Sequence, residues 1–232
     1  MARLEQALDA ERHFAADASH ELRTPFAIIR THAQIARRSS QPEERAEALD
    51  KLIRGVDQAT HLITQLLTFS RLKHSSRGTG HGTWSLAKTV ARVVEERQGP
   101  ARAKSVELTL KAPDNEPCMV SVAHGTLAIL AGNLLDNALK FTPAGGRIGV
   151  AISVRRERIL LRVEDSGRGI PAADRLRVFD RFYRPAGQAE PGAGLGLAIV
   201  RRICELHGVE IELLDPEDGQ GLLVEVAFRK PV

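Results

Sequence analysis

The chain has 232 residues, of which 43% are hydrophobic and 27% charged, and a net charge of +4 at pH 7. This is the composition of an ordinary globular protein with one large domain or two modest ones. Such a small net charge gives no reason to expect nucleic-acid binding, which needs basic residues clustered on one face. No segment approaches the roughly 18 apolar residues of a membrane helix, and the charged N-terminus lacks the apolar core of a signal peptide. We expect a cytoplasmic chain, either by itself or as the inner part of a longer, membrane-anchored protein.

The first part of the chain has the pattern of a helical hairpin. From Leu4 to Ala36, apolar or small residues recur in alternating steps of four and three, the heptad pattern of a helix that packs along a seam. Pro25 lies inside this pattern and predicts a local kink, because proline removes one backbone donor. Ser40 and Glu43 fit a capping box for a second heptad-patterned helix, from Leu49 to Leu66. One hairpin cannot bury both seams, so we expect a homodimer that closes a four-helix bundle.

A histidine lies on the outer side of the first predicted helix. If Ala18 and Leu22 are seam positions, His20 lies between them on the outward face. Thr24 is one turn further on and shares that face. Most histidines in helices are simply solvated surface residues. The register therefore predicts that His20 is accessible, and by itself it does not predict that His20 reacts.

The second part of the chain has a mixed pattern of helices and strands. The stretch from His74 to Gly82 has several glycines and no periodicity, so we predict a linker at residues 75–82 between a domain at 1–74 and one at 83–232. Helices are predicted at Ala87–Arg97, Leu127–Lys140 and Leu195–Leu206, and strands at Val106–Leu110, Arg147–Val154, Ile159–Val163, Val209–Leu214 and Leu222–Phe228. Helices beside a largely antiparallel sheet predict an α+β sandwich.

Polar residues share one face of the predicted helix at 127–140. Asn133 and Asn137 are four residues apart, and Lys140 lies beside them. Amide oxygens can ligate Mg²⁺, and a lysine can neutralise phosphate. Taken alone, this pattern is equally typical of a solvated helix face.

The string Asp165-Ser166-Gly167-Arg168-Gly169 directly follows a predicted strand. Its glycines allow a flat ligand to approach the backbone, and the carboxylate can accept a hydrogen bond from an exocyclic amine. An ordinary turn at the end of a strand has the same composition, so this signal is moderate.

A glycine motif, Gly192 to Leu197, runs into the last predicted helix. Glycines before a helix offer backbone N–H groups and the positive end of the helix dipole to a phosphate. No strand precedes this motif, which argues against a dinucleotide-binding Rossmann site. Between it and the Asp165 turn lie the string Phe179–Arg184 and the irregular segment Pro185–Pro191, which we interpret as a mobile lid over a nucleotide.

Together and in this order, these motifs resemble the sensor histidine kinases of two-component systems. The resemblance covers nearly the whole chain, from about Leu4 to Phe228, and rests on Ser19-His20-Glu21-Leu22-Arg23-Thr24-Pro25, the asparagine helix, the Asp165 turn, Phe179–Arg184 and the glycine motif. It implies a dimerisation and histidine-phosphotransfer domain followed by a Bergerat-fold ATP-binding domain.

The resemblance also implies a role for residues of the first domain. His20 would be the phosphoacceptor, and Glu21 the general base that accepts the Nδ1 proton and leaves Nε2 as the nucleophile. Thr24 would orient the water that hydrolyses phospho-aspartate on a partner, and Pro25 would let the bundle bend. Phe26 replaces the usual leucine, a change of size at a core position.

For the second domain the resemblance implies ATP and Mg²⁺ as cofactors. Asn133 and Asn137 would hold Mg²⁺ and phosphates with Lys140 nearby, and Asp165 would bind the adenine amino group. The other implied nucleotide contacts are Phe141, Gly167, Gly169, Gly192, Gly194, Leu195 and Gly196. Phe141 stands where tyrosine is frequent, so a hydroxyl is lost and an aromatic face is kept.

The function implied is autophosphorylation of His20 by ATP, transfer to an aspartate of a response regulator, and phosphatase activity toward that regulator. One alternative is a conformational ATPase clamp of the topoisomerase or mismatch-repair type, which would need its own base acting on water and no exposed histidine. Another is a non-enzymatic dimeric scaffold whose partner binding is regulated by nucleotide. The pair His20 and Glu21 favours the kinase over the clamp, and the retained polar residues argue against the scaffold.

Overall fold

The computed structural model describes residues 2–74, 81–113, 118–185 and 192–231. The chain divides into two compact units, Met1–Thr68 and Phe69–Val232. Residues 75–80 of the predicted linker and residues 186–191 of the predicted lid lie outside the described residues. Within the described ranges, no helix has the length and apolar character needed to cross a membrane.

Two long helices form the start of the chain, as the heptad pattern predicts. Helix α1 spans Ala2–Arg38 and helix α2 spans Pro42–His74. The α-helical assignment of α1 is continuous through Pro25, whose ring is buried. Proline is well tolerated at the first position of a helix, where its missing N–H would have no partner, and Pro42 occupies that position in α2.

The predicted capping box of Ser40 and Glu43 is wrong. The hydroxyl of Ser39 instead accepts a hydrogen bond from Gln41 N at 3.1 Å and donates one to Glu44 Oε2 at 2.6 Å. The reason is one of position, because Gln41 rather than Ser40 directly precedes the first helical residue. Ser40 lies one residue before the N-cap position, which Gln41 occupies. From there its side chain reaches the free amides of the first turn less well than a side chain at the N-cap does.

The two helices approach each other closely at Gly55 of α2. A Cβ atom on Gly55 would lie 3.0 Å from Ile29 Cγ1 and 3.4 Å from Ile28 Cγ2 of α1. Phe26, predicted at a core position, is 53% exposed in the single chain. Further large apolar side chains are exposed along α2: Leu49, Ile53, Val56, Ile63 and Leu67.

The second unit is an α/β sandwich, as predicted. Its strands are β1 (His81–Ser85), β2 (Glu107–Lys111), β3 (Met119–Ala123), β4 (Arg147–Arg155), β5 (Arg158–Asp165), β6 (Glu210–Leu214) and β7 (Leu222–Arg229). Its helices are α3 (Leu86–Ala103), α4 (Thr126–Phe141) and α5 (Gly196–His207), with short 3₁₀ helices at Ala172–Asp174 and Arg177–Phe179.

The main sheet has five strands in the order β2-β4-β5-β7-β6. Strand β2 is parallel to β4 and the other neighbours are antiparallel. A separate sheet pairs β1 with β3. These two strands were not predicted from the sequence, and β1 begins inside the glycine-rich stretch predicted as a linker.

The hydrophobic core lies between the helices and one face of the main sheet. Burial alternates along β4, β7 and the second half of β5, so that every second side chain there points into the core, whereas Ile159, Leu160 and Leu161 are buried in succession. Helix α4 packs on β5, on α3 and on α5. The register pairs Asp165 at the end of β5 with Leu222 at the start of β7, and this brings two glycine-containing turns to the same edge of the sheet.

Two leucines of this unit give a matched test of the core. Leu161 on β5 is 0% exposed, whereas Leu176 is 81% exposed. We expect Leu161→Ala to lower the free energy of unfolding of the second unit by about 2–5 kcal/mol, because it leaves a cavity in a packed core. Leu176→Ala should change it by less than about 0.5 kcal/mol. Chemical denaturation measures both, and equal losses in the two variants would contradict this assignment of the core.

Candidate functional site

His20 is exposed on α1, as the heptad register predicts. Its Nδ1 atom lies 3.4 Å from Arg23 Nη1, and Thr24 is exposed as well. Glu21 is half-buried, and among the described residues no hydrogen bond joins its carboxylate to His20. Consecutive helix residues point in different directions, which accounts for this. The helix therefore presents the imidazole to solvent with a guanidinium, rather than the predicted base, beside Nδ1.

In the second unit, the asparagines of α4 face the beginning of α5. The Cβ position of Gly196 lies 3.0 Å from Asn137 Nδ2, 3.2 Å from Asn137 Oδ1 and 3.4 Å from Asn133 Oδ1. Any side chain at Gly196 would displace these amides. The structure thus brings together two motifs that are about sixty residues apart in the sequence.

The side chain of Asn133 has a defined orientation. Its Nδ2 donates to Ile129 O of the same helix at 2.8 Å, so Oδ1 is the atom turned toward α5. An amide oxygen is a suitable ligand for a hard cation such as Mg²⁺. Within the described residues, no group of three or more His, Cys, Asp or Glu side chains could hold a metal ion. The amide oxygens of Asn133 and Asn137 fit a Mg²⁺ ion that is held by a few protein oxygens together with phosphates, the arrangement common for nucleotide-bound magnesium.

The first turn of α5 is open to an anion. The residue at its N-cap, Leu195, has no side-chain oxygen to bind the free N–H groups of that turn. Lys140, at the end of α4, adds a positive charge there, because the Cβ position of Gly192 lies 2.5 Å from Lys140 Nζ. Backbone donors, a helix dipole and a lysine ammonium together favour phosphate at this place.

The glycine motif is fixed to the segment Phe179–Arg184 that precedes it. Phe182 N donates to Gly194 O at 3.2 Å. Gly194 has a φ of 67°, and a Cβ atom there would lie 2.7 Å from Tyr183 O. Tyr183 is held in turn by a hydrogen bond from its hydroxyl to Asp174 Oδ1 at 2.5 Å. Only glycine satisfies both the conformation and the space at position 194.

Asp165 is a buried carboxylate at the end of β5, with 7% of its surface exposed. Its Oδ1 accepts a hydrogen bond from Gly167 N at 2.9 Å. Burial raises the pKa of Asp165 from its usual 3.8 to about 6, although the amides of Gly167 and Leu222 act in the opposite direction. Such a group can serve as an acceptor whose ionisation depends on its ligand.

The turn before β7 is part of this site, although it was not predicted from the sequence. A Cβ atom on Gly221, whose φ is 108°, would overlap the carbonyl oxygen of Asp165. The Cβ position of Gly169 lies 2.6 Å from Gly221 O. The signal in the sequence is the string Gly219-Gln220-Gly221 immediately before the last strand.

Phe141, which stands where tyrosine is frequent, has a cation on its ring from each of two motifs. Lys140 Nζ lies 4.6 Å and the Arg168 guanidinium 5.2 Å from the ring centroid. The Phe141 carbonyl oxygen lies 2.7 Å from the Cβ position of Gly167. The end of α4 therefore contacts the Asp165 turn directly, and the site needs no hydroxyl at position 141 for this contact. Arg168 is a further site residue, to which no role was assigned from the sequence.

Two family models match the chain. Residues 10–75 match the His Kinase A (phospho-acceptor) domain. Residues 124–232 match the histidine kinase-, DNA gyrase B- and HSP90-like ATPase family. The first match contains His20, and the second contains the asparagines, the Asp165 turn and the glycine motif.

Curated relatives match nearly the whole chain. The sensor protein kinase PmrB of Pseudomonas aeruginosa is 39% identical over 229 residues, covering 98% of this chain and 47% of the relative. The signal transduction histidine-protein kinase/phosphatase MprB of Mycobacterium sp. (strain KMS) is 33% identical over 231 residues, covering 93% of this chain and 42% of the relative. The chain thus spans less than half the length of these relatives.

Solved structures share the fold. The histidine kinase ThkA, in a crystal structure with the response regulator protein TrrA, matches with a TM-score of 0.76 and 20% identity. That match covers 98% of this chain and 64% of the ThkA chain. At this level of identity the match concerns the fold alone.

The raised pKa of Asp165 makes the stability of the nucleotide-free protein depend on pH. Its folded pKa of about 6 exceeds the usual 3.8, so the folded state binds this proton first as the pH falls. The resulting stabilisation is complete below the pKa that Asp165 has in the unfolded state. It is lost as the pH rises through the pKa that Asp165 has in the folded state. We expect Asp165 to contribute on the order of 1 kcal/mol more stability at pH 5 than at pH 7.

Asp165→Asn isolates this contribution, because every other titrating group stays in place. When the pH is lowered from 7 to 5, the parent should gain the stabilisation from Asp165 and the variant should not. The change in the free energy of unfolding of the second unit should therefore be less favourable in the variant than in the parent. Chemical denaturation at both pH values gives the difference. The same pH dependence in both proteins would show that Asp165 has an ordinary pKa.

Proposed function

This chain belongs to the sensor histidine kinases of two-component systems, and from that premise we propose that it transfers the γ-phosphoryl group of ATP to His20 and then to an aspartate of a response regulator. The observation that carries the proposal is the contact of Asn133 and Asn137 with Gly196, which places amide oxygens at the open N-terminus of α5. The exposed imidazole of His20 on the phospho-acceptor domain supplies the acceptor.

The residues of the second unit divide the work of holding ATP. Asp165 accepts a hydrogen bond from the adenine amino group, and Gly167 and Gly169 form the adjoining wall. The N–H groups at the start of α5 and the motif of Gly192, Gly194, Leu195 and Gly196 bind phosphates, with Lys140 neutralising charge. Phe141 supports Lys140 and the Asp165 turn.

Asn133 and Asn137 would hold Mg²⁺ against the phosphates. When bound, this ion would neutralise the charge that develops on the transferred group. The orientation of Asn133, with its Nδ2 already bonded to Ile129 O, favours an oxygen directed at the ion.

In the transfer step, Nε2 of His20 forms a bond to the γ-phosphorus while the bond to the bridging oxygen of ADP breaks. As this bond forms, Glu21 takes the Nδ1 proton, so that the ring of the phosphorylated imidazole carries no positive charge. Because Arg23 lies beside Nδ1 in the unliganded helix, we propose that Arg23 moves aside and the Glu21 carboxylate turns toward Nδ1 when ATP arrives. Catalytic hydrogen bonds are often absent before the substrate binds.

We propose a homodimer as the working form. Phe26 and the exposed apolar side chains of α2 are large and would be covered by a second copy in a four-helix bundle. Residues 1–74 would form the dimerisation and phosphotransfer domain, 75–82 a linker and 83–232 the ATP-binding domain. The linker would let the ATP-binding domain reach His20.

The proposed partner is a response regulator that carries a receiver aspartate. The crystal structure of ThkA in complex with the response regulator protein TrrA supports this class of partner. We place the reaction in the cytoplasm, as part of a longer protein anchored in the inner membrane. No role in nucleic-acid binding is proposed.

Labelling with ATP tests the kinase reaction. With γ-labelled ATP and Mg²⁺ we expect the parent chain to gain label that is labile to acid and stable to base, as expected of phosphohistidine. His20→Ala should abolish it. His61→Ala is the matched control, because His61 is also an exposed histidine of the helical hairpin, and it should keep the label.

Two outcomes would contradict the proposal. Label retained in His20→Ala would mean that another residue is the acceptor. A parent chain that hydrolyses ATP without acquiring label would favour the conformational clamp, and one that binds ATP and does neither would favour the scaffold.

Thr24 should act in dephosphorylation of the regulator. We expect Thr24→Ala to keep the rate of autophosphorylation within about twofold of the parent, because Thr24 has no proposed role in phosphoryl transfer to His20. Hydrolysis of the phosphorylated regulator should slow by at least about tenfold, since a residue that orients water contributes to that step alone. Thr31→Ala, another exposed threonine of α1, is the control. Equal phosphatase rates in parent and Thr24→Ala would refute the role.

A further inference from the structure

A lysine from another helix binds the C-terminal end of α4. Lys104 Nζ donates to Leu139 O at 2.6 Å and to Lys140 O at 3.0 Å. Lys104 is half-buried and lies at the end of α3, thirty-five residues before Leu139. Nothing in the motifs of the nucleotide site points to it.

The turn after α3 fixes the direction of this lysine. Ser105 N donates to Arg102 O and Val106 N donates to Ala101 O, each at 2.9 Å. With Ser105 in the left-handed region at a φ of 58°, these two bonds form a Schellman motif. Ala101 and Val106 are both buried, and they supply the apolar contact that accompanies such a motif. Lys104 therefore leaves the helix at a well-defined point.

The residues that follow Lys104 also bind the loop after α4. Gly145 N donates to Ser105 O at 2.9 Å, and Glu107 N donates to Gly146 O at 3.0 Å. The end of α3 and the end of α4 are thus joined through both the Lys104 side chain and the backbone. This leaves the last turn of α4 little freedom to move.

The carbonyls that Lys104 binds are those that a helix cannot satisfy internally. The last four C=O groups of an α-helix have no intrahelical partner, and a cation there interacts favourably with the negative end of the helix dipole. These carbonyls belong to the turn that carries Lys140 and Phe141. Lys140 is the residue whose ammonium lies at Gly192, and Phe141 is the one that contacts Gly167.

We infer that Lys104 is a positioning residue of the nucleotide site: it holds the last turn of α4 so that the Lys140 ammonium stays at the glycine motif. Lys104 itself does not contact the ligand, and it acts through Lys140. The inference rests on the proposed function in one respect, namely that the ligand at the glycine motif is ATP.

A small set of variants tests this inference. Lys104→Met keeps the length of the side chain and removes its charge and donors, whereas Lys104→Arg keeps both. Lys111→Met is the matched control, because Lys111 is an exposed lysine at the end of β2 in the same unit. The measurement is the Kd for a non-hydrolysable ATP analogue with Mg²⁺ on the whole chain, with the melting temperature recorded for every variant.

We expect Lys104→Met to raise this Kd about tenfold, a loss of about 1.4 kcal/mol. Lys104→Arg should restore it to within about threefold of the parent, and Lys111→Met should leave it unchanged. The deciding experiment repeats Lys104→Met in a Lys140→Met background. If Lys104 acts through Lys140, the two substitutions are coupled. Lys104→Met should then raise the Kd of the Lys140→Met protein by less than about twofold.

The same tenfold loss in both backgrounds would overturn the inference, because it would show a general structural effect. A Lys104→Met protein that binds the analogue like the parent would overturn it too. If Lys104→Met does not fold, Lys104→Gln takes its place. Glutamine keeps an N–H donor group without the charge, so the Kd of this variant should lie between those of the parent and Lys140→Met. A parent chain that does not bind the analogue at all would instead contradict the proposed function, and the inference with it.

Discussion

The close contact between α4 and the N-terminus of α5 is the constraint on which the candidate site depends. The Cβ position of Gly196 lies 3.0 Å from Asn137 Nδ2, so the two helices meet without an intervening side chain. Their apolar faces are buried in one core, which includes Leu130 and Leu134 of α4 and Ile199 of α5. Apolar packing therefore sets the position of the polar groups: two amides, a lysine and the free N–H groups of α5 point into the same space.

The site has opposite electrostatic character at its two ends, which suits a nucleotide. At one end, the α5 dipole and Lys140 favour negative charge. At the other, the buried carboxylate of Asp165 is an acceptor whose pKa burial raises to about 6. A phosphate chain and an aromatic base with an exocyclic amine match these ends respectively. The proposed phosphoacceptor, His20, has a different setting, since it lies exposed on a long helix.

Much of this arrangement could be predicted from the sequence, for physical reasons that also explain what could not. Long periodic segments such as α1 and α4 gave nearly correct bounds, because amphipathic spacing is a local property. The capping box was wrongly placed at Ser40 because a cap depends on where the helix begins. The role of Lys104 depends on carbonyl groups far away in the sequence, which leave no local pattern, and the glycine string at Gly221 does not reveal that it packs on Asp165. Likewise, the pKa of Asp165 follows from burial, which its motif does not reveal.

The central claim is that ATP binds between α4, the Asp165 turn and the beginning of α5. Its most direct test is to titrate the ¹⁵N-labelled chain with a non-hydrolysable ATP analogue and Mg²⁺ and to follow the backbone amide resonances. We expect the largest shifts at Gly167, Gly169, Asn137 and Gly196, and little change at Lys111 and in the strand β6. Shifts concentrated away from these residues, or none at saturating analogue, would contradict it.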